Sequence, residues 1–335
     1  MSRRNLPSAG FARTTARTTA HIATLGVLLL AGWVGPGCAV LRPMATGGPD
    51  VAADPVAVDV ATVERMFDVH RVRSERLSRL RAQGNVVMSW TNAAGAREEM
   101  SDLGVTVYRD GAERVFAEVF ETSVSLFYAG SDGRWVYFWN RGFAGEPSRF
   151  CGWSALTREP PPCAAIVPLI DRPRLLADML FGVLPIPENA AETCLINDAG
   201  TAVRLELVVG GEPLRVTWDV ASGMVRQISL LGANGRAVLT ANHQGEVPLR
   251  VPGVSDFQSP QLPGQVSVSD AAGSFSLRFT FDAEQRPVET VAAGRWGTLF
   301  DGVASARSRQ GRVDEFQVDP ALQVEIDVAP AGSDW

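Results

Sequence analysis

The chain has 335 residues, 46% hydrophobic and 20% charged, with 31 basic against 37 acidic side chains and a net charge of −6. That is enough apolar surface for a large core, which excludes disorder and collagen-like repetition, and 4 Cys cannot staple so long a chain as a disulfide framework. All 31 basic side chains are Arg; P-loop, Schiff-base and S-x-x-K chemistries therefore lack their lysine, and an acidic chain without an Arg-dense stripe is a poor partner for nucleic acid.

Arg3, Arg4, Arg13 and Arg17 make a basic leader free of acids, followed by an apolar run over residues 22–34 and by Gly35-Pro36-Gly37-Cys38. This predicts a signal peptide over residues 1–37. The run is shorter than the roughly 18 residues that cross a bilayer, and Gly-Pro-Gly would break a continuing helix. The small residues before Cys38 resemble the lipobox of bacterial lipoproteins, in which the Cys becomes the lipidated N-terminus; simple cleavage with release and an uncleaved leader are the alternatives. Removing residues 1–37 takes away four Arg and no acid, so the net charge falls from −6 to −10. Residues 38–58, with Pro43, Gly47, Gly48, Pro49 and Pro55 among small residues, read as a flexible tether. A single domain is expected over residues 59–330.

Over residues 62–83 the apolar Val63, Met66, Phe67, Leu77 and Leu80 recur at helical spacing, with Gly84 as a stop, which predicts a first helix. His70 beside its stripe reads as a packed or surface residue and not as a ligand, because His243 is the only other His after the leader. Strands are expected at residues 85–92, 104–109, 114–120, 123–129 and 134–140, with turn residues such as Asp110-Gly111 and Ser131-Asp132-Gly133 between them. Turns at such short intervals give hairpins in a meander. Trp135, Tyr137 and Trp139 alternate with Val136 and Phe138, so both faces of that strand need a cover. Residues 141–187, with a Pro-rich insertion at 141–168, are expected to interrupt the sheet. A second helix opens with Asp171 as cap and Pro173 in its first turn, and ends at Gly182 and Pro185. Its apolar Leu175, Leu176, Met179, Leu180 and Phe181 make it a candidate lid. The hairpin pattern resumes at 201–209, 214–220, 224–231 and 236–243, where Leu205 and Leu207 face one way and Arg204 and Glu206 the other. Further strands are expected at 265–269, 274–281 and 322–328, while residues 284–318 carry no pattern that assigns them.

These elements describe a mainly β chain with few helices, built as one antiparallel sheet. The segments RLRAQGNVVMSW, SLFYAGSDGRWVYFW and LLADMLFGVLPIP, in that order and followed by a second meander, resemble the LolA/LolB-like family of bacterial outer-membrane lipoprotein carriers over roughly residues 60–282. The resemblance implies a curved, incomplete antiparallel β-barrel covered by α-helices, with an apolar cavity for the acyl chains of lipoproteins or another amphiphile. LolB-like members are themselves outer-membrane lipoproteins, which agrees with Cys38. The cavity walls are expected from Val86, Met88, Trp90, Leu126, Tyr128, Trp135, Tyr137 and Trp139, with Leu176, Met179 and Leu180 of the second helix over them. The same side chains could interlock as a solid core, and it is the resemblance that favours the cavity.

No H-E-x-x-H, G-x-S-x-G or G-x-G-x-x-G motif occurs, and His70 with His243 are too few for a histidine metal site or a catalytic triad. Neither an enzyme nor a cofactor or metal is therefore expected. The neighbouring acids Glu98 and Glu99, or Asp314 and Glu315, would point to opposite faces of a strand and read as solvated. In an oxidising compartment Cys151 and Cys163 could close a disulfide worth somewhat under about 3 kcal/mol, with Cys163–Cys194 as the rival pairing. The functional expectation is a lipid-anchored protein of the bacterial envelope, on the periplasmic face and at the outer membrane. Its partners would be a lipid or an acylated protein, and the membrane through its anchor, with no nucleic acid. The alternative is a structural or assembly outer-membrane lipoprotein with no ligand, acting through contacts with an envelope protein.

Overall fold

The computed structural model describes residues 60–92, 94–141, 147–156, 172–196, 200–249, 259–282 and 299–328. The chain divides into two units, Met1–Pro49 and Asp50–Trp335, and every described residue belongs to the second. The expected leader, Cys38 and the tether lie outside the described residues, as does Cys163.

Helix α1, Val60–Arg76, reaches the core through Val63, Met66, Phe67 and His70. It stops short of the expected Gln83, and strand β1, Arg79–Thr91, begins three residues after it. The reason is a change of period. From Leu80 the buried residues Leu80, Ala82, Val86 and Met88 fall on one strand face, and the three-residue step from Leu77 to Leu80 prolongs the helical spacing past the end of α1. Gly84 is no helix stop: it pairs with Phe281 across the sheet, where a Cβ would come 2.1 Å from the Thr280 carbonyl oxygen.

Strands β2 (Arg97–Asp110), β3 (Arg114–Glu121), β4 (Val124–Asp132) and β5 (Trp135–Asn140) follow as hairpins. The sheet then continues into β6, Arg149–Ser154, where the sequence predicted an interruption. Phe150 and Cys151 show why, since they bury fully on opposite sides of one strand. Cys151 is disulfide-bonded and Cys194 is a free thiol, which removes the Cys163–Cys194 pairing.

Helix α2, Pro173–Phe181, begins with the expected proline and ends at left-handed Gly182, φ 59°. The short α3 (Ala190–Thr193) and β7 (Leu195–Ile196) lead into a second meander. Its strands are β8 (Ala202–Val209), β9 (Glu212–Asp219), β10 (Val225–Leu231), β11 (Ala237–Pro248), β12 (Gln261–Asp270) and β13 (Phe275–Phe281). The C-terminal region adds α4 (Gly302–Arg309), β14 (Glu315–Val318) and α5 (Pro320–Val328). Residues 322–328 are thus helical and not the expected strand. Leu322 and Ile326, four apart, are buried while Val324 and Val328 are exposed, and Asp319 Oδ1 accepts the Ala321 N–H at 2.8 Å to cap the first turn. The β-branched residues of this segment hid a helical stripe.

All of these strands form one sheet in the order β14-β6-β5-β4-β3-β2-β1-β13-β12-β11-β10-β9-β8-β7. Each meander runs outward from the β1–β13 seam, where Gly84 faces Phe281 and Trp90 faces Phe275. Every pairing is antiparallel except β14 against β6, and β14 and β7 stand at opposite edges, so the sheet is curved and unclosed. Bulges at Val86/Met88, Val119/Phe120 and Val225/Gln227 bend it.

In the first meander both faces are covered, as its two-sided apolar pattern requires. The inner face carries the larger core, beneath α1 and α2. On the outer face of β3–β6 a second core gathers Phe116, Tyr128, Trp135, Tyr137, Trp139 and Phe150 beneath Phe300, Ala306, Leu322 and Ile326. Polar contacts fix this C-terminal cover. The Tyr137 hydroxyl donates to Leu299 O at 2.6 Å, Trp135 Nε1–H to Glu325 at 3.2 Å, and the Arg309 guanidinium lies 3.7 Å from the Trp139 ring centroid. In the second meander the outer side is wet, with Arg204 and Glu206 facing away from buried Leu205 and Leu207.

Candidate functional site: an apolar hollow beneath α2

The inner face is not filled evenly. Between α2 and the sheet lies a hollow of about 40 Å³. Its walls are Val86 and Met88 of β1, Val105 and Val107 of β2, Ala117 and Val119 of β3, Phe127 and Ala129 of β4, Val268 of β12, and Phe275, Leu277 and Phe279 of β13. Leu176 and Leu180 of α2, one helical turn apart, form the roof. The hollow has a simple origin. Ala117 and Ala129 are cross-strand partners, so two strands present only methyl groups where their neighbours present larger side chains. No polar side chain lines this space, and a cavity without polar partners holds no ordered water.

Four of the residues expected at the cavity, Val86, Met88, Leu176 and Leu180, meet there. Met179 is fully buried in the inner core beside the hollow but is not part of its wall. Trp90 and Leu126 are half-buried at the margin of that core. Tyr128, Trp135, Tyr137 and Trp139 are corrections, because they stand on the outer face beneath α4 and α5. Parity is the cause. Val136 and Phe138 of β5 point inward, so the aromatic residues on either side of them must point outward. Ala117, Ala129 and the β12–β13 wall were missed because small or ordinary apolar side chains carry no mark of a void.

The roof is held by polar contacts at named points. Arg109 Nη1 of β2 pairs with Asp178 Oδ1 of α2 at 2.8 Å, the two side chains 6% and 2% exposed. Arg109 Nε–H also donates to Gly111 O at 3.0 Å. Burial pushes the Asp178 carboxyl up to about 6, with Arg109 and Arg174 pulling it down. At the C-terminal end of the same helix, one turn beyond Asp178, Arg73 of α1 donates to Phe181 O at 3.0 Å and to Gly182 O at 3.2 Å, and reaches Gln261 O of β12 at 2.8 Å. These are carbonyls that a helix end leaves without partners, and a cation there opposes the negative end of the helix dipole. Burial lowers Arg73 to about 10, with Glu246 acting the other way, so it stays charged at neutral pH. His243 Nε2 meets Met179 O at 2.5 Å, and His70 Nε2 meets Leu184 O at 3.3 Å. A helix of nine residues is marginal by itself, so these contacts and the buried face of α2 set its position.

Among the described residues no group of three or more His, Cys, Asp or Glu could hold a metal ion.

No protein-family model matches the chain, and no curated protein is similar to it in sequence. Among solved structures it has a distant LolA-like resemblance. It is similar to a LolA superfamily protein from Nitrosomonas europaea at 12% identity and a TM-score of 0.37, over 68% of this chain and 92% of that one. It is likewise similar to a putative outer membrane lipoprotein-sorting protein domain from Vibrio parahaemolyticus at 9% identity and a TM-score of 0.39, over 72% of this chain and 100% of that one.

Proposed function

We propose that the chain is an exported envelope protein that takes an acyl chain, of a lipoprotein or another amphiphile, into the hollow of its inner face, with α2 as the cover. One observation carries this reading: the space under α2 is lined by apolar side chains alone, which suits a hydrocarbon and offers nothing to a polar ligand. Each methylene moved from water into such a space contributes about 0.8 kcal/mol. At about 40 Å³ the hollow is too small for a long acyl chain, so on this reading such a chain enters only as α2 lifts. Delivery at the periplasmic face of the outer membrane, through a lipid on Cys38, completes the reading, and binding in the hollow without transfer would serve the same contacts.

Filling the floor tests it. Ala117→Leu puts an isobutyl group where β3 now offers a methyl, at a stability cost of about 1–3 kcal/mol. Chain purified without detergent is expected to carry a lipid adduct in native mass spectrometry and to bind the uncharged dye diphenylhexatriene, and the Leu variant to lose both while keeping its far-UV circular dichroism. No adduct and no dye binding in the unaltered chain would leave the structural or assembly lipoprotein as the reading. The anchor has its own test. Cys38→Ser is expected to move the protein from the membrane fraction to the soluble fraction, and unchanged fractionation would remove the anchor.

A further inference from the structure

Beside the hollow the inner core carries a buried ion pair, and its two halves belong to the two parts that a long ligand has to separate. Arg109 is on β2, two residues beyond Val107. It therefore shares the strand face that Val105 and Val107 give to the wall, roughly 7 Å further along. Asp178 is on α2, between Leu176 and Leu180 of the roof in sequence. The pair answers charge but not direction. Arg109 Nη1 and Asp178 Oδ1 are 2.8 Å apart, yet both atoms are buried without a hydrogen bond among the described residues. Charge is unequal there as well. Arg174, one turn before Asp178, is a second guanidinium acting on the same carboxylate, and its Nε is also buried without a partner among the described residues. Two cations thus share one acid at the margin of an apolar space.

We propose that Arg109 anchors the head of the ligand, and that the ligand is a single-chain amphiphile with an anionic head, a carboxylate or a phosphate. The tail lies along Val105 and Val107, and the head takes the place on Arg109 that Asp178 holds while α2 is down. This rests on the reading of α2 as the cover of a binding hollow. Lifting α2 carries Asp178 away but leaves Arg109 on β2, where its Nε–H is held by Gly111 O at 3.0 Å. A neutral ligand would leave that guanidinium without its counter-charge against an apolar wall, which is costly. An anionic head restores the charge that the helix took with it. The planar fork of a guanidinium also matches the two oxygens of a carboxylate or phosphate, an alignment that the Asp178 contact does not achieve. Among amphiphiles this selects a free fatty acid or an alkyl phosphate over an uncharged, ester-linked acyl group.

Displacement of diphenylhexatriene from the full chain at neutral pH tests the anchor, with four probes of equal tail kept below their micelle concentrations: decanoate, decyl phosphate, decanol and decylamine. The better of the two anions is expected to displace the dye at about tenfold lower concentration than decanol, the scale of one hydrogen-bonded charge, and decylammonium to be the weakest. Which anion is tighter distinguishes a fatty acid from a phosphate ester. In Asp178→Asn, a nearly isosteric change that removes the competing charge, anion binding tightens several-fold and decanol binding does not. In Arg109→Met with Asp178→Leu the anion preference disappears while decanol still displaces the dye. Displacement by decanol or decylammonium as strong as by the anions overturns the head anchor and leaves a plain hydrocarbon site. So does an anion preference that survives in the double variant. If neither the dye nor any probe binds, the hollow is not a ligand site and the anchor falls with that reading.

Discussion

Replacing Arg109 by Met is expected to cost the fold about 3–5 kcal/mol, and replacing Arg109 by Met together with Asp178 by Leu much less. The pair lies 2.8 Å apart with both side chains almost wholly buried. Removing the guanidinium leaves a carboxylate among Leu175, Met179 and the inner core, with Arg174 as the remaining cation acting on it. Removing both leaves apolar groups of similar bulk in an apolar place. The single variant also reverses the usual acid sensitivity of a carboxylate. Asp178 already lies above the ordinary value of 3.8 because of burial, and without Arg109 it moves higher. A group whose folded pKa is raised supports the fold below its unfolded pKa and loses that support as pH rises through the folded one. The deficit of Arg109→Met is therefore larger at pH 8 than at pH 5. Urea melts of the unaltered chain, the single and the double variant at both pH values measure it. A single variant as stable as the double would show that the pair does not hold α2 to β2.

Most of the sheet was legible because its hairpins announce themselves. Asp110-Gly111, Ser131-Asp132-Gly133 and Ala233-Asn234-Gly235 separate apolar-rich runs of strand length, and the structure forms hairpins at each. What was not legible is which parity faces inward. In β5 both parities are apolar, so the sequence offers no local choice, and the larger rings drew the expectation to the wrong side. The deciding information lay two strands away. Arg114 and Glu118 mark the outer parity of β3, Val115, Ala117 and Val119 the inner one, and the register Arg114↔Asp132, Ser131↔Val136 carries that parity through β4 to β5. The helical C-terminus was hidden for a related reason, since Val324, Ile326 and Val328 read as a strand until the burial of Leu322 and Ile326 shows a four-residue spacing. The hollow itself is the least visible feature, because Ala117 and Ala129 mark it by what they lack.

Deleting residues 283–335 is expected to unmask the outer core and to give a protein that aggregates or fails to accumulate in soluble form. In the intact chain Trp135, Tyr137 and Phe150 are 3%, 0% and 0% exposed, beneath Phe300, Ala306, Leu322 and Ile326. Exposing each ring forfeits about 2 kcal/mol, so three of them together match much of the about 5–15 kcal/mol that holds an ordinary domain. The truncation also removes β14 and leaves the edge of β6 unpaired, next to a stripe of exposed aromatic side chains, which is a template for association with other chains. Inner-face residues do not compensate, because they lie across the sheet and pack against α1 and α2. A milder variant separates cover from chain length. Phe300→Ala keeps every element and is expected to cost about 3–5 kcal/mol, the range for truncating a buried Phe. Solubility of the truncated chain, the near-UV circular dichroism of the Trp and Tyr residues and the urea midpoint of Phe300→Ala measure these effects. A truncated chain that stays monomeric with an unchanged inner face would mean that the outer aromatic residues do not need this cover.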